Sequence, residues 1–374
     1  MSPHTPERGR SRPRTVTLSL AAAAVALATG LTGPAATATP PVPGEPGPSM
    51  NESFATAAEE YGVPRDVLAA VAYGETHFDG HAGKPSQAGG YGVMHLVGNP
   101  ARHTLQQAAR LTGEPVSELR RDTDANIHGG AAVLRAHADS LGMTRAQRRD
   151  VDAWYPAVAR YSGARAGTAR LYADTVYDLL AHGVRGTAPD GERITVPARD
   201  VHPDKQTAGA APEKAPRSPD YPDAAWVPAD PANYAEGRAE QLDKIVIHVT
   251  QGSYAGSISW FQNPEAKVSA HYVVRSSDGD ITQMVRDADT AYHAKSANAS
   301  SLGIEHEGYI DDPSWFTDAM YRSSAALTRH LADEHGIPLD RQHIIGHSEA
   351  PGNDHTDPGE HWDWDTYMEL VREG

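Results

Sequence analysis

From Asn51 to about Gly183, apolar residues recur at spacings of three and four, as in Val67, Leu68, Val71 and Ala72, within text rich in Ala, Leu, Glu and Arg. That period predicts an all-helical unit over residues 51–184. Between Arg185 and Pro231 the periodicity vanishes while Pro, Asp, Gly and Ala accumulate, most densely over residues 208–222, so residues 185–225 read as a linker. Beyond it the pattern is that of strands. Ile245, Val246 and Ile247 make one apolar run, residues 270–275 and 281–285 make two more, and Ser277-Asp278-Gly279 supplies a turn between the last pair. A helix fits Thr317 to His335, with Thr317 as N-cap, Leu327 and Leu331 on one face, and Gly336 as terminator ahead of Pro338. A short apolar strand at residues 343–345 leads into Gly346-His347. Strand, hairpin, helix and strand predict a mixed sheet flanked by helices over residues 226–374. The expected protein is therefore multidomain, all-α followed by α/β, with no internal repeat.

The chain's 374 residues are enough for two domains of about 100–200 residues each. Arg8, Arg10, Arg12 and Arg14 precede an apolar run from Val16 to Leu31 and small residues ending at Ala36-Thr37-Ala38, the form of an export signal over residues 1–38. Residues 39–50 are Pro/Gly-rich and read as a stiff spacer. The run is too short and too rich in Ala and Gly to favour a permanent span, so a secreted, wall-associated protein without stable membrane insertion is expected. Cysteine is absent, which excludes disulfides and leaves His and carboxylates as the donors for any metal. Loss of residues 1–38 removes four Arg and one Glu and takes the formal charge from −16 to −19. That balance argues against a nucleic acid partner, which requires a concentrated basic surface. Monomer is the default expectation for a two-module secreted protein.

Candidate chemistry concentrates in the second half. His248 closes the run Ile245-Val246-Ile247, His347 follows Ile344-Ile345-Gly346, and Asp357 sits ten residues on in His355-Thr356-Asp357-Pro358-Gly359. Strand ends are rigid supports for ligands, Gly346 permits close backbone approach, and Pro and Gly tighten the last loop. Two imidazoles and a carboxylate leave a fourth tetrahedral position of Zn²⁺ open, the mark of a catalytic site. Water there would ionise at roughly pKa 7 rather than 15.7 and could attack an amide carbonyl. Singly, each His reads more readily as a hydrogen-bonded or surface residue than as a ligand, because 19 of the 374 residues are His.

The surrounding text narrows this. IVIHVT (245–250), VSAHYVV (268–274), AYHA (291–294), GIEHEG (303–308) and IIGHSEAPGNDHTDPG (344–359) together resemble the zinc-dependent N-acetylmuramoyl-L-alanine amidase family, which shares its fold with peptidoglycan recognition proteins. The likeness runs from about Trp226 to Glu369 in order and spacing. It implies that His248, His347 and Asp357 hold Zn²⁺ and that the reaction cuts the bond between N-acetylmuramic acid and L-alanine in peptidoglycan. It assigns the acid/base to Glu305, although Glu305 and Glu307 share one face of the strand and geometry alone does not choose. It places His355, where relatives often carry Lys, as donor to the developing oxyanion. His293 is expected to contact substrate in the groove. His271 is taken as a second substrate-binding residue, with groove lining or hydrogen bonding within the sheet as the plainer reading, and His306 as structural on the opposite face. Members that bind muropeptide without cutting it have usually lost a metal ligand; with all three positions filled here, hydrolysis is the expectation.

In the helical half, Ala72-Tyr73-Gly74-Glu75-Thr76, Gly89-Gly90-Tyr91-Gly92-Val93-Met94-His95-Leu96, Asn126-Ile127-His128-Gly129-Gly130 and Ala159-Arg160-Tyr161-Ser162-Gly163 resemble the lysozyme-like fold of lytic transglycosylases, over about Phe54 to Gly183. In that family the Glu closing the first of these motifs is the general acid for glycan cleavage, which implicates Glu75; one carboxylic acid suffices when an acetamido group or ordered water takes the second role. Thr76, His95 and Ser162 depart from the usual Ser, Gln and Asn. Two readings stay open: a second hydrolase acting through Glu75, or a module that binds glycan and delivers the amidase.

Overall fold

The computed structural model describes residues 47–100, 102–208 and 216–373; the export signal, most of the spacer and much of the densest stretch of the linker lie outside them. Residues 47–374 form one unit. Its first half is helical: α1 (Met50–Tyr61), α2 (Arg65–Thr76), α3 (Thr104–Thr112), α4 (Val116–Arg121), α5 (Thr123–Ser140), α6 (Tyr155–Tyr161) and α7 (Ala166–His182), with a small ladder of β1 (Gly90–Tyr91) and β2 (Leu96–Val97). Ser49 and Glu52 cap α1 reciprocally. Val67, Leu68, Val71 and Ala72, the residues that set the helical period, are all buried in one core with Phe54, Leu134, Trp154 and Tyr161.

The stretch read as linker packs on both halves: Ala224 enters the core of the second and Ser218 bonds to Gln283 there, while its first residues complete the core of the first. Strands β3 (Val184–Thr187) and β4 (Arg193–Val196) pair antiparallel, and Ile194 and Val196 enter the helical core. Glu192, in their connection, accepts from the backbone N–H groups of Met50 and Asn51 at 2.6 and 3.2 Å, which places a carboxylate on the N-terminus of α1. A four-residue strand inside Pro- and Asp-rich text is too short for its alternation to stand out.

The second half contains β5 (Ala225–Trp226), β6 (Tyr234–Ala235), β7 (Lys244–Val249), α8 (Tyr254–Phe261), β8 (Tyr272–Val274), β9 (Ile281–Gln283), β10 (Thr290–Ala291), β11 (Ser301–His306), α9 (Asp318–His335), β12 (Ile344–Gly346) and α10 (Trp364–Glu373). The main sheet runs β12-β7-β11-β8-β9-β5, with β8 and β9 antiparallel and the other neighbours parallel, so it is mixed as expected. Thr317 caps α9 by accepting from Met320 N–H at 3.2 Å, and Gly336 ends it at φ +68°. Alternation sorts the central strands. Ile245, Ile247, Leu302 and Ile304 pack with Leu327 and Leu331 of α9 and with Tyr367 of α10, whereas Val246 turns to the other face with Ala294 and Ile345. By the same period of two, His248 and Glu305 face away from α9 and α10. No helix among the described residues is long and apolar enough to cross a membrane.

Candidate metal centre

His248 and Glu305 are register partners on adjacent strands β7 and β11. His347 follows β12 on the other side of β7, and Asp357 returns on the loop beyond. Gly346 allows this return: a Cβ there would lie 2.8 Å from Pro358 Cδ, so a side chain would push the Asp357 loop away. Among the described residues, His248, His347 and Asp357 form a group whose ligand atoms all lie within 4.8 Å of one another. His248 Nδ1 is 3.3 Å from Asp357 Oδ2, and His347 Nδ1 is 3.0 Å from Asp357 Oδ1.

Electrostatics favour a metal here. Burial pushes the His248 imidazole down to about 4, keeping it in the neutral form that a metal requires. Burial alone would raise Asp357, but hydrogen bonds from His248 and His347 hold its carboxyl well below the usual range, so the third donor is ionised. His293 lies behind His248, its Nδ1 2.9 Å from His248 Nε2, which leaves Nδ1 of His248 to face the centre. Two neutral-capable imidazoles and one carboxylate on rigid elements fit a divalent ion of the zinc type.

The structure brings Glu305 rather than Glu307 to this group. Glu305 is 3 % exposed, lines the same cavity, and has a buried Oε2 with no hydrogen-bond partner. Burial, and then the Asp357 charge, push its carboxyl well above the usual range. Glu307 instead accepts from the backbone N–H groups of Tyr254 and Ser276, both at 2.8 Å. His355 is half-exposed, stacks on His347 at 4.4 Å and holds Nδ1 3.8 Å from Asp357 Oδ1. His306, buried, bonds to Ser324 of α9, on the opposite face as expected.

His271 corrects the groove-lining alternative. It is fully buried and absent from the cavity wall: its Nδ1 accepts from Gly303 N–H at 3.0 Å, and Arg238 Nη2 lies 2.8 Å from its Nε2. Both ring nitrogens are used inside the sheet, so none is left for a substrate. His293 does line the cavity, beside its contact with His248.

Around the centre opens a cavity of about 810 Å³, within the size range of ligand sites. One wall is unexpected. His81, Lys84, Pro85, Ser86 and Gln87 of the helical half line it, although they belong to none of the motifs and no signal in their sequence marks them. Gln87 N–H donates to the Gln251 carbonyl at 3.3 Å, and His81 stacks on Tyr309 at 3.7 Å.

Glu75 lies outside this cavity. It is 1 % exposed at the end of α2, accepts from Ser253 Oγ of the second half at 2.9 Å, and has Oε2 3.1 Å from His95 Nδ1. Burial works to raise its carboxyl, but the charge and hydrogen bond of His95 and the charge of Arg102 hold it below the usual value.

Comparison with known proteins places both halves. Residues 238–360 match the family model described as N-acetylmuramoyl-L-alanine amidase. N-acetylmuramoyl-L-alanine amidase A of Achromobacter lyticus is 40 % identical over 172 residues, 41 % of this chain and 97 % of that protein. The chain belongs to the N-acetylmuramoyl-L-alanine amidase family. The 1,6-anhydro-N-acetylmuramyl-L-alanine amidase AmpD of Escherichia coli is 37 % identical over 113 residues, 28 % of this chain and 59 % of that protein. A crystal structure of a selenomethionine AmpD derivative aligns at 28 % identity over 40 % of this chain and 94 % of that chain, with a TM-score of 0.34. Residues 52–171 match the model described as a transglycosylase SLT domain, so a lysozyme-like half precedes the amidase half as the motifs implied.

Proposed function

We propose that this protein hydrolyses the amide bond between N-acetylmuramic acid and L-alanine of peptidoglycan, with Zn²⁺ held by His248, His347 and Asp357. The observation that carries the reading is a buried His-His-Asp group within 4.8 Å, faced by a carboxyl whose Oε2 has no protein partner. When bound, zinc polarises the scissile carbonyl and acidifies the attacking water. Glu305 Oε2 takes a proton from that water and returns it to the leaving amide nitrogen; burial, and then the Asp357 charge, raise its affinity for protons, which suits a group that holds one between the two transfers. His355, half-exposed at the cavity rim and stacked on His347, offers an N–H to the carbonyl oxygen as charge develops. His293 fixes the tautomer and tilt of His248.

The arginine-led apolar segment over residues 1–38 supports export, and the target is then bacterial wall outside the membrane, met by a monomer. The test is digestion of purified wall and soluble muropeptide by the full chain, zinc-loaded and chelated, with metal content and fragments measured by mass spectrometry. One zinc per chain and zinc-dependent release of lactyl-linked peptide are expected. Muropeptide binding without any release by the zinc-loaded chain would make it a recognition protein instead.

A further inference from the structure

The helical half holds its transglycosylase motif in a state unsuited to glycan chemistry. A general acid for glycoside cleavage must be reached by the glycosidic oxygen and must carry a proton. Glu75 meets neither condition: Ser253 of the amidase half covers it, and His95 beside it favours its ionised form. The cavity beside His95 holds about 200 Å³, shared by His95, Arg102 and Gly163 with Gly256 and Trp260, below the roughly 300–1,000 Å³ of ordinary ligand sites.

The same network reaches the amidase cavity. His95 Nε2 lies 2.7 Å from Ser86 Oγ, and Ser86 lines that cavity, so Ser86, His95, Glu75 and Ser253 form one continuous polar chain from the wall segment into the second half. His77 stacks on Trp315 at 3.6 Å and 5° and His81 on Tyr309, while Gln87 N–H bonds to the Gln251 carbonyl, so the segment is held on the second half at both ends. The motif that elsewhere does chemistry here anchors a surface.

That surface is chemically specific. His81, with a side chain only 9 % exposed, has both ring nitrogens without a hydrogen bond. Lys84 is exposed with no ion pair among the described residues, as is Lys267 on the same cavity; the third lysine, Lys295, is paired with Asp354. Asp311 lies 3.8 Å and Asp79 4.0 Å from His81 Nδ1, and these are the acids that a ligand there must outcompete. Against the carboxyl groups of Glu305, Asp311, Asp354 and Asp357 on the same cavity, the two unpaired lysines and the unsatisfied imidazole are the groups that can take an anion.

We propose that the lysozyme-like half is a wall of the amidase cavity and not a second hydrolase, and that His81 and Lys84 on this wall bind a carboxylate of the stem peptide. The inference rests on the amidase reading for its substrate. Full-length, zinc-loaded protein is assayed on a muramyl peptide with free stem carboxylates and on its amidated counterpart, and binding of both is measured by calorimetry. For Lys84→Ala, KM and Kd for the free acid rise by about threefold, the scale of one exposed ion pair, with kcat and all values for the amidated peptide unchanged; Lys84→Glu exaggerates the split. Equal behaviour of Lys84→Ala and wild type on both peptides overturns the carboxylate site. Wall digests by wild type, Glu75→Gln and Ser253→Ala are expected to show no reducing or anhydromuramic ends; such ends from wild type that Glu75→Gln fails to release overturn the wall assignment. Ser253→Ala removes only the hydroxyl that covers Glu75 and keeps its carboxyl; if Glu75→Gln misfolds, such ends released by wild type or by Ser253→Ala overturn the wall assignment. A chain that releases no peptide, but whose Lys84→Ala variant still loses affinity for the free acid alone, refutes the amidase reading and leaves the binding site standing.

Discussion

Replacing Glu305 by Gln changes one proton and almost no volume, so it separates chemistry from packing. The side chain is 3 % exposed, its Oε2 has no partner, and the nearest charge is the Asp357 carboxylate. The amide cannot take a proton from water, and positioned acid–base groups are worth about 10²–10⁴-fold, so kcat should fall by that factor, roughly 3–5 kcal/mol on the barrier. Stability should move the other way. Burial, then Asp357, raises the carboxyl above its ordinary value of 4.5, so the folded chain binds this proton more tightly than the unfolded one. The resulting stabilisation is fully present below the ordinary value and is lost as pH rises through the raised one. Gln does not titrate, and in chelated protein the variant's melting temperature should therefore gain on wild type as pH rises from about 4 to 7. Turnover of muropeptide at saturating zinc, zinc content, and calorimetric melting of the chelated proteins measure the three quantities. A variant with full zinc that keeps kcat within tenfold of wild type refutes the acid/base role; a melting difference flat across pH refutes the electrostatic account.

Other side chains give independent checks. His293→Ala removes the 2.9 Å partner of His248 Nε2 and should weaken zinc by about 10–100-fold in chelator competition. Gly303→Ala would place a Cβ 2.5 Å from His293 Nδ1; displacement of that ring should reproduce the zinc loss and add about 1–3 kcal/mol of destabilisation in urea. His355→Ala should lower kcat by about 10²–10³ with zinc content retained, whereas His355→Lys keeps most of the rate. Glu307→Ala strands the Tyr254 and Ser276 N–H donors at about 1–3 kcal/mol each, visible as a lower melting temperature without any change in zinc affinity.

What residues 226–374 form was legible locally, because the deciding interactions are short in sequence. The Ile245-Val246-Ile247 run alternates into a strand whatever lies elsewhere, and His248 must follow at its end. Thr317 and Gly336 mark α9 through contacts within a turn of themselves. The likeness of the motifs added which histidines converge, and β12-β7-β11 adjacency gives the geometric reason. Local text failed where one residue type has two fates. His271 and His293 sit in equally apolar motifs, and only Arg238, 33 residues before His271, and the Gly303 backbone bury the first in the sheet. The alternation of Arg193-Ile194-Thr195-Val196 was hidden by its brevity, although the hairpin completes the first core. Glu75 is the sharpest case. Its motif was readable, but its burial depends on Ser253, 178 residues away. Sequence by itself determined the period of each element and the donors available to a metal, since both are properties of neighbouring residues. Which carboxylate lines the metal cavity, and which half walls it, was decided by the tertiary structure alone, because access is set by surfaces that meet only after the chain has folded.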